Sequence, residues 1–264
     1  MMLRSLWSSA SGMIAQQTHL DVVAHNLANV NTTGYKRQRA DFHDLLYQIN
    51  REVGSPVDPN SQVPTGVQVG LGVRVVGTSR IMSIGNLQVT DNPLDIAIAG
   101  NHGYFQVTRQ NGDIAYTRAG AWQVDSDGQI VNQDGLLLEP AIVVPEDAVE
   151  IIIQPDGRFL ARLSGEVEPQ ELGQIELARF VNPAGLRGLG DALFEETPAS
   201  GAPILANPGV DGMSEVRQRI LEMSNVQIVE EMVDMIIAQR AYEANSKTLQ
   251  TADNLLQTAV GLKR

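Results

Sequence analysis

Few side chains in this sequence could do chemistry, and their spacing limits what they could do. His19, His25, His43 and His102 are scattered, and no pair stands at a metal-ligand spacing beside a carboxylate group. Their reading is surface or interface. The sequence has no cysteine, which excludes disulfides, thiol catalysis and cysteine metal sites. Asp125-Ser126-Asp127-Gly128 opens like a calcium loop. An EF-hand, however, needs ligands at alternating positions, then glycine, then a glutamate at the twelfth position. Here the glycine comes early and the twelfth residue is Leu136, so the stretch is read as a hairpin turn. Glu146, Asp147, Glu150, Glu166, Glu168 and Glu171 lie in polar stretches, with no sign of the desolvated pair that acid–base work requires. Gly70 and Gly72 suggest a phosphate loop, but neither GxGxxG nor GxxxxGK[ST] follows. Glycines in a strand-like run rather mark close approach of another backbone. No nucleophile elbow and no Ser, His and Asp set stands out. The chain is read as non-enzymatic, with no catalytic residue, no metal ligand and no cofactor.

Bulk properties agree. The net charge of −12 over 264 residues argues against nucleic acid as a partner. A hydrophobic share of 43% describes a folded chain rather than a disordered one. The stretch Met1 to Ala10 has no sustained apolar core, so no secretory signal peptide is expected. No apolar run is long enough to span a membrane.

If no residue set carries chemistry, the long elements must carry the function. An apolar row runs through Ile228, Met232, Met235, Ala238, Tyr242, Asn245, Leu249, Ala252, Leu256 and Ala259, in steps of three and four. That is a heptad seam on one helix. Ser224 and Gln227 read as a capping box at its start, and such a helix would be about 55 Å long. A second row, Leu3, Leu6, Ala10, Met13, Gln17, Leu20, Ala24 and Leu27, repeats in the same way at the amino end and should stop near Val30. Gln17 and Asn245 are polar members that could fix register or reach solvent. Trp7 beside the first row reads as core or interface. The expectation is therefore α+β: a discontinuous coiled-coil domain of terminal helices (1–42 and 214–264) enclosing an antiparallel β domain (81–213), with an extended loop or hairpin insertion at 43–80. In the β domain, Asn111-Gly112, Asp127-Gly128, Asp134-Gly135 and Asp156-Gly157 suit type I′ hairpins.

One stretch is more specific. Asn29, Asn31, Thr32, Gly34 and Tyr35, within Ala28-Asn29-Val30-Asn31-Thr32-Thr33-Gly34-Tyr35-Lys36-Arg37, resemble the amino-terminal signature of the bacterial flagellar rod and hook proteins. Asn92-Pro93-Leu94-Asp95-Ile96, Tyr116-Thr117-Arg118-Ala119-Gly120 and Glu195-Glu196-Thr197-Pro198 look like that family's β-domain motifs. Glu222-Met223-Ser224-Asn225-Val226 and the helix after it look like its carboxyl-terminal signature. Gly66-Val67-Gln68-Val69-Gly70-Leu71-Gly72-Val73-Arg74, after an insertion, points to the distal-rod branch rather than the hook. Asp191-Ala192 departs from the family pattern, which usually has a polar Asn there.

The resemblance implies a structural subunit that assembles helically with copies of itself into a hollow driveshaft around an export channel. The implied partners are other rod subunits, the hook protein, the ring proteins around the rod and the flagellar export apparatus. The implied place is the basal body, crossing the periplasm, reached without a cleaved signal peptide. Leu3, Leu6, Met13, Leu20, Leu27, Ile228, Met232, Met235, Tyr242, Leu249 and Leu256 are the expected assembly seam. A proximal rod or hook paralogue, or a carbohydrate-binding β-module of another class, is the alternative.

Overall fold

The computed structural model describes residues 2–53, 56–58, 61–62, 64–165 and 168–261. The side chains of 2, 3, 56–58, 61, 62, 259 and 260 lie outside the description. The chain divides into two compact units. The first comprises Met1–Leu27, Gln38–Ser79 and Ile228–Arg264, and the second Ala28–Arg37 and Arg80–Gln227. These boundaries differ from the expected ones. All of the 43–80 stretch but Arg80 groups with the helices, while 28–37 and 214–227 group with the strands.

The first unit holds helices α1 (Met2–Ala28) and α2 (Ile228–Gly261). Between them in sequence runs a long hairpin. Gln38–Asp44 pairs with Val73–Arg80, and Tyr47–Arg51 pairs antiparallel with Val67–Gly70. Of the two glycines singled out in the sequence, Gly72 makes the close approach. A Cβ there would stand 2.2 Å from Ser11 Oγ of α1, and its φ of 117° lies in the left-handed range. Ser11 Oγ also accepts the Val73 N–H at 3.2 Å, tying the hairpin to α1.

Helix α2 begins three residues later than a capping box at Ser224 would place it. The Ser224 hydroxyl accepts the Val226 N–H at 3.2 Å and so closes a turn ahead of the helix. No described helix is long and apolar enough to cross a membrane.

The second unit is all but free of helix among the described residues, with one short 3-10 turn at Pro183–Gly185. Its largest sheet has seven strands, all antiparallel, in the order Gln123–Val124, Ile130–Val131, Leu137–Glu139, Phe105–Thr108, Ile114–Thr117, Leu193–Glu195, Arg187–Gly190. Side chains alternate across a strand. Phe105, Val107 and Ala115 therefore enter one core with Trp122, Ile130, Leu138 and Phe159. Tyr104 and Tyr116 enter another with Phe180, Leu186 and Phe194. Both faces of this sheet are thus covered by apolar side chains. A three-stranded sheet, Ala148–Ile153, Arg158–Leu163 and Gln170–Gln174, adds Ile153 and Phe159 to the first core.

The four pairs named from the sequence all sit at chain reversals, but none of these four is type I′. Only the glycine of each has positive φ, and its N–H donates to the carbonyl three residues back, as in Gly112 to Arg109 at 2.8 Å and Gly157 to Gln154 at 2.9 Å. This is the longer reversal in which glycine alone takes the left-handed position after the turn. Positive φ at adjacent residues occurs instead at Gly190, Asp191 and Ala192, where the chain joins two strands of the large sheet. It occurs also at a further Asp-Gly pair, Asp211-Gly212, at 51° and 77°, where the Met213 N–H donates to the Val210 carbonyl at 2.9 Å with the φ pattern of a type I′ turn.

The tightest backbone contact in this unit lies at Gly120, whose carbonyl accepts the Ile96 N–H at 2.9 Å. A Cβ on Gly120 would stand 1.6 Å from the Ile96 carbonyl oxygen. Gly120→Ala should therefore destabilise this unit by about 3 kcal/mol. Urea unfolding followed by the fluorescence of buried Trp122, in a Trp7→Phe background, reads this directly. A midpoint equal to that of the parent would show that Gly120 and Ile96 can part at no cost.

Candidate assembly surface

Two contacts fix how α1 meets α2. A Cβ on Gly12 would stand 2.9 Å from Asn245 Nδ2, so the helices approach closely there. Farther along, Asn26 Nδ2 donates to Glu231 Oε2 at 3.1 Å, with both residues buried. The two contacts are equally spaced on the two helices and run in opposite order, so the pair is antiparallel. Asn26 also donates to the Gln38 carbonyl at 2.8 Å and accepts the Gln38 N–H at 2.9 Å, which anchors the first hairpin strand to the helix pair.

On α1 the buried positions are Ser9, Ala15, Val22, Val23 and Asn26. They lie on a different face from the expected apolar row. Leu6, Met13, Leu20 and Leu27 are half-buried, Gln17 and Ala24 are exposed, and the Leu3 side chain lies outside the described residues. Trp7 is exposed, which removes the core reading for it. The physical reason is size. Gly12, without a Cβ, lets the second helix come near, whereas a leucine and methionine face holds it off.

On α2 the expected row agrees better. Ala238 and Ala252 are buried, and Met235, Tyr242, Asn245, Leu249 and Leu256 are half-buried. Ile228 and Met232 depart from it. Both are exposed, and Glu231 holds the buried position between them. Met232 belongs to a second apolar face with Val229, Val233 and Ile236, spaced i, i+3, i+4, i+7. Val229 is 75% exposed and Ile236 55%. The helix therefore carries two apolar faces, and the chain covers one of them. The hairpin is also apolar on the outside, with Leu46, Tyr47, Ile49, Val53 and Val67 exposed.

The signature residues fall in the second unit. Gly34 has φ of 70°, and a Cβ on it would stand 2.5 Å from the Ala119 nitrogen. Its N–H donates to the Glu222 carbonyl at 2.8 Å. Asn29 and Thr32 build the turn before it, the Thr32 N–H donating to the Asn29 carbonyl at 3.1 Å and the Tyr35 N–H to that of Thr32 at 3.4 Å. Asn31 at its tip is exposed. The residues that sequence reading missed are the buried charges behind this turn, Lys36, Arg118 and Glu222. Each lay inside a stretch quoted for its resemblance. The available signal was a charge set in an apolar or small-residue context.

Three family models match the chain. "Flagella basal body rod protein" covers residues 6–36, "Flagellar hook protein FlgE/F/G D1 domain" 97–161 and "Flagellar basal body rod FlgEFG protein C-terminal" 217–262. The chain is 48% identical to the flagellar basal-body rod protein FlgG of Borreliella burgdorferi, over 100% of both chains. It is 47% identical to FlgG of Caulobacter vibrioides, over 99% of this chain and 100% of that one. To the flagellar hook protein FlgE of Borreliella burgdorferi it is 25% identical, over 99% of this chain and 100% of the other.

The second face of α2 can be tested by itself. Ile236 is exposed, so Ile236→Asp should leave the melting of the β-rich unit unchanged. Burying one such side chain between molecules is worth about 1.5–3 kcal/mol. The substitution should therefore weaken self-association about tenfold or more in sedimentation equilibrium. Unchanged association would show that this face stays in water.

Proposed function

This chain belongs to the FlgG family of flagellar basal-body rod proteins, and from that premise we propose how its surfaces build a rod. The family is structural and non-catalytic, and the chain is a structural subunit of the flagellar basal-body rod. Among relatives in one organism it stands at 48% identity to the rod protein and 25% to the hook protein, which favours the rod over the hook.

In the proposed assembly, copies of the chain pack helically into the distal rod. The helix pairs of neighbouring copies meet through coiled-coil contacts and enclose an export channel. The polymer transmits torque to the hook, crosses the periplasm, and touches other rod subunits and the surrounding ring proteins. Its subunits arrive through the flagellar export apparatus without a cleaved signal peptide. The observation that carries the reading is the second apolar face of α2, Val229, Met232, Val233 and Ile236, left exposed by the chain's own fold. The half-buried row Leu6, Met13, Leu20 and Leu27 gives a neighbour a second place to dock. A carbohydrate-binding module would have no use for either.

Electron microscopy of the concentrated protein tests the assembly. Rods are expected from the parent chain. None is expected from Leu249→Asp, which sets a charge within the helix layer. A lasting monomer that melts higher with an added sugar would favour the binding module instead.

A second part of the proposal concerns residues 43–76. Their outward apolar side chains, Leu46, Tyr47, Ile49 and Val67, suit contact with another copy. The hairpin is proposed to bridge neighbours and stiffen the rod. Rods built without it should bend more readily, as measured by persistence length in micrographs. Equal stiffness would remove this role.

A further inference from the structure

The strand Ile220–Glu222 ends on a carboxylate with no access to solvent. Glu222 Oε1 accepts from Lys36 Nζ at 2.5 Å and from the Gly85 N–H at 3.0 Å. Oε2 accepts from Arg118 Nη1 at 3.2 Å. The side chains of Lys36 and Arg118 are 1% and 0% exposed. Lys36 Nζ also donates to the Ser83 carbonyl and Arg118 Nη1 to that of Gly100, both at 2.8 Å. Beside the cluster, Asn225 Oδ1 accepts the Arg37 N–H at 2.7 Å and Asn225 Nδ2 donates to the Ile81 carbonyl at 2.8 Å. The guanidinium of Arg118 lies over the Tyr104 ring, 5.1 Å from its centroid.

Such a cluster is a poor source of stability, because taking charges out of water offsets most of their attraction. Burial pushes the Lys36 ammonium below the usual lysine pKa, against the pull of Glu222. What a buried pair does well is select one arrangement, since any other leaves a charge buried alone. Here the selected arrangement joins segments from both ends of the chain. Gly34, Lys36 and Arg37 each bond to residues far along the chain in the β-rich unit.

We propose that the Lys36–Glu222–Arg118 cluster is a latch that docks residues 28–37 onto the β-rich unit in the free subunit. The turn carrying Asn29, Asn31, Thr32 and Gly34 is then already shaped when a neighbouring copy arrives. All the latch atoms lie in one compact unit, so the latch holds whether or not α1 and α2 have found their partners.

Hydrogen exchange and brief trypsin digestion of the full-length protein, below its polymerising concentration, test this. In the parent chain the Gly34 and Gly85 amides should exchange at least 100-fold slower than free peptide. Cleavage after Lys36 should be far slower than after exposed Arg39. Glu222→Gln should lower protection of both amides at least tenfold and open the Lys36 site, while Phe105 and Val107 keep theirs. Should Glu222→Gln unfold the whole unit, Lys36→Met decides, since it removes one charge and keeps the stem. Loss confined to residues 28–37 and Gly85 supports the latch. Gly34 exchanging at the free-peptide rate in the parent chain overturns it, and so does undiminished Gly34 protection in Lys36→Met.

Discussion

A carboxylate cannot be buried alone, and the β-rich unit is arranged around that constraint at Glu222. Its oxygens need donors, and two cations and one backbone amide supply them. Each donor comes from a different part of the sequence. Lys36 lies in the amino-terminal signature stretch, Gly85 precedes the β core, and Arg118 follows directly on the strand Ile114–Thr117 of the large sheet. Removing one partner of such a set typically costs about 3–5 kcal/mol, a large share of the stability of a domain. The cluster therefore explains why residues 28–37 group with a unit that is otherwise far away in sequence. Gly34 belongs to the same logic. Only a residue without Cβ fits 2.5 Å from the Ala119 nitrogen at positive φ.

The sequence was legible where one face of an element is apolar and its partner is large. Strands such as Ala148–Ile153 could be placed from their residues, and the lower part of α2 presents the expected row to the interior. It was illegible where contact is made by small or polar residues. The face of α1 that meets α2 runs from Gly12 to Asn26, which a search for hydrophobic periodicity passes over. Glu231 is hidden for the same reason. A charged residue between Glu230 and Met232 looks solvated until Asn26 is known to lie opposite. The hairpins show a third kind of gap. Asn-Gly and Asp-Gly mark a reversal, but glycine can take the left-handed position in more than one turn geometry, so the dipeptide fixes the place and not the type.

The buried charges were half legible. Glu222 follows Ile220 and Leu221, and Arg118 stands between Thr117 and Ala119 in a stretch that ends buried. A charge in such company is either at an edge or paired inside. Composition cannot choose between these, because the partner lies more than a hundred residues away. Resemblance marked the stretches but gave no reason for the individual residues. The structure supplies it: three stretches noted separately share one carboxylate.

Two physical terms act on the outer surface of the helices with opposite sign. The net charge of −12 keeps free copies apart, yet at physiological salt that repulsion fades within about 8 Å. The second apolar face of α2 acts only at contact, and each large side chain buried there contributes about 1.5–3 kcal/mol. In the proposed assembly, four such side chains on one face, Val229, Met232, Val233 and Ile236, would exceed the screened repulsion once two copies touch in register. Before that they face water, and the acidic surface slows encounter. An exposed apolar stripe would ordinarily invite aggregation. Here its narrow helical spacing restricts the partner to another long helix, while the inner face of the same helix is already committed to α1 through Gly12 and Asn26. In the proposed assembly, the chain thus keeps one face for folding and the other for its neighbours.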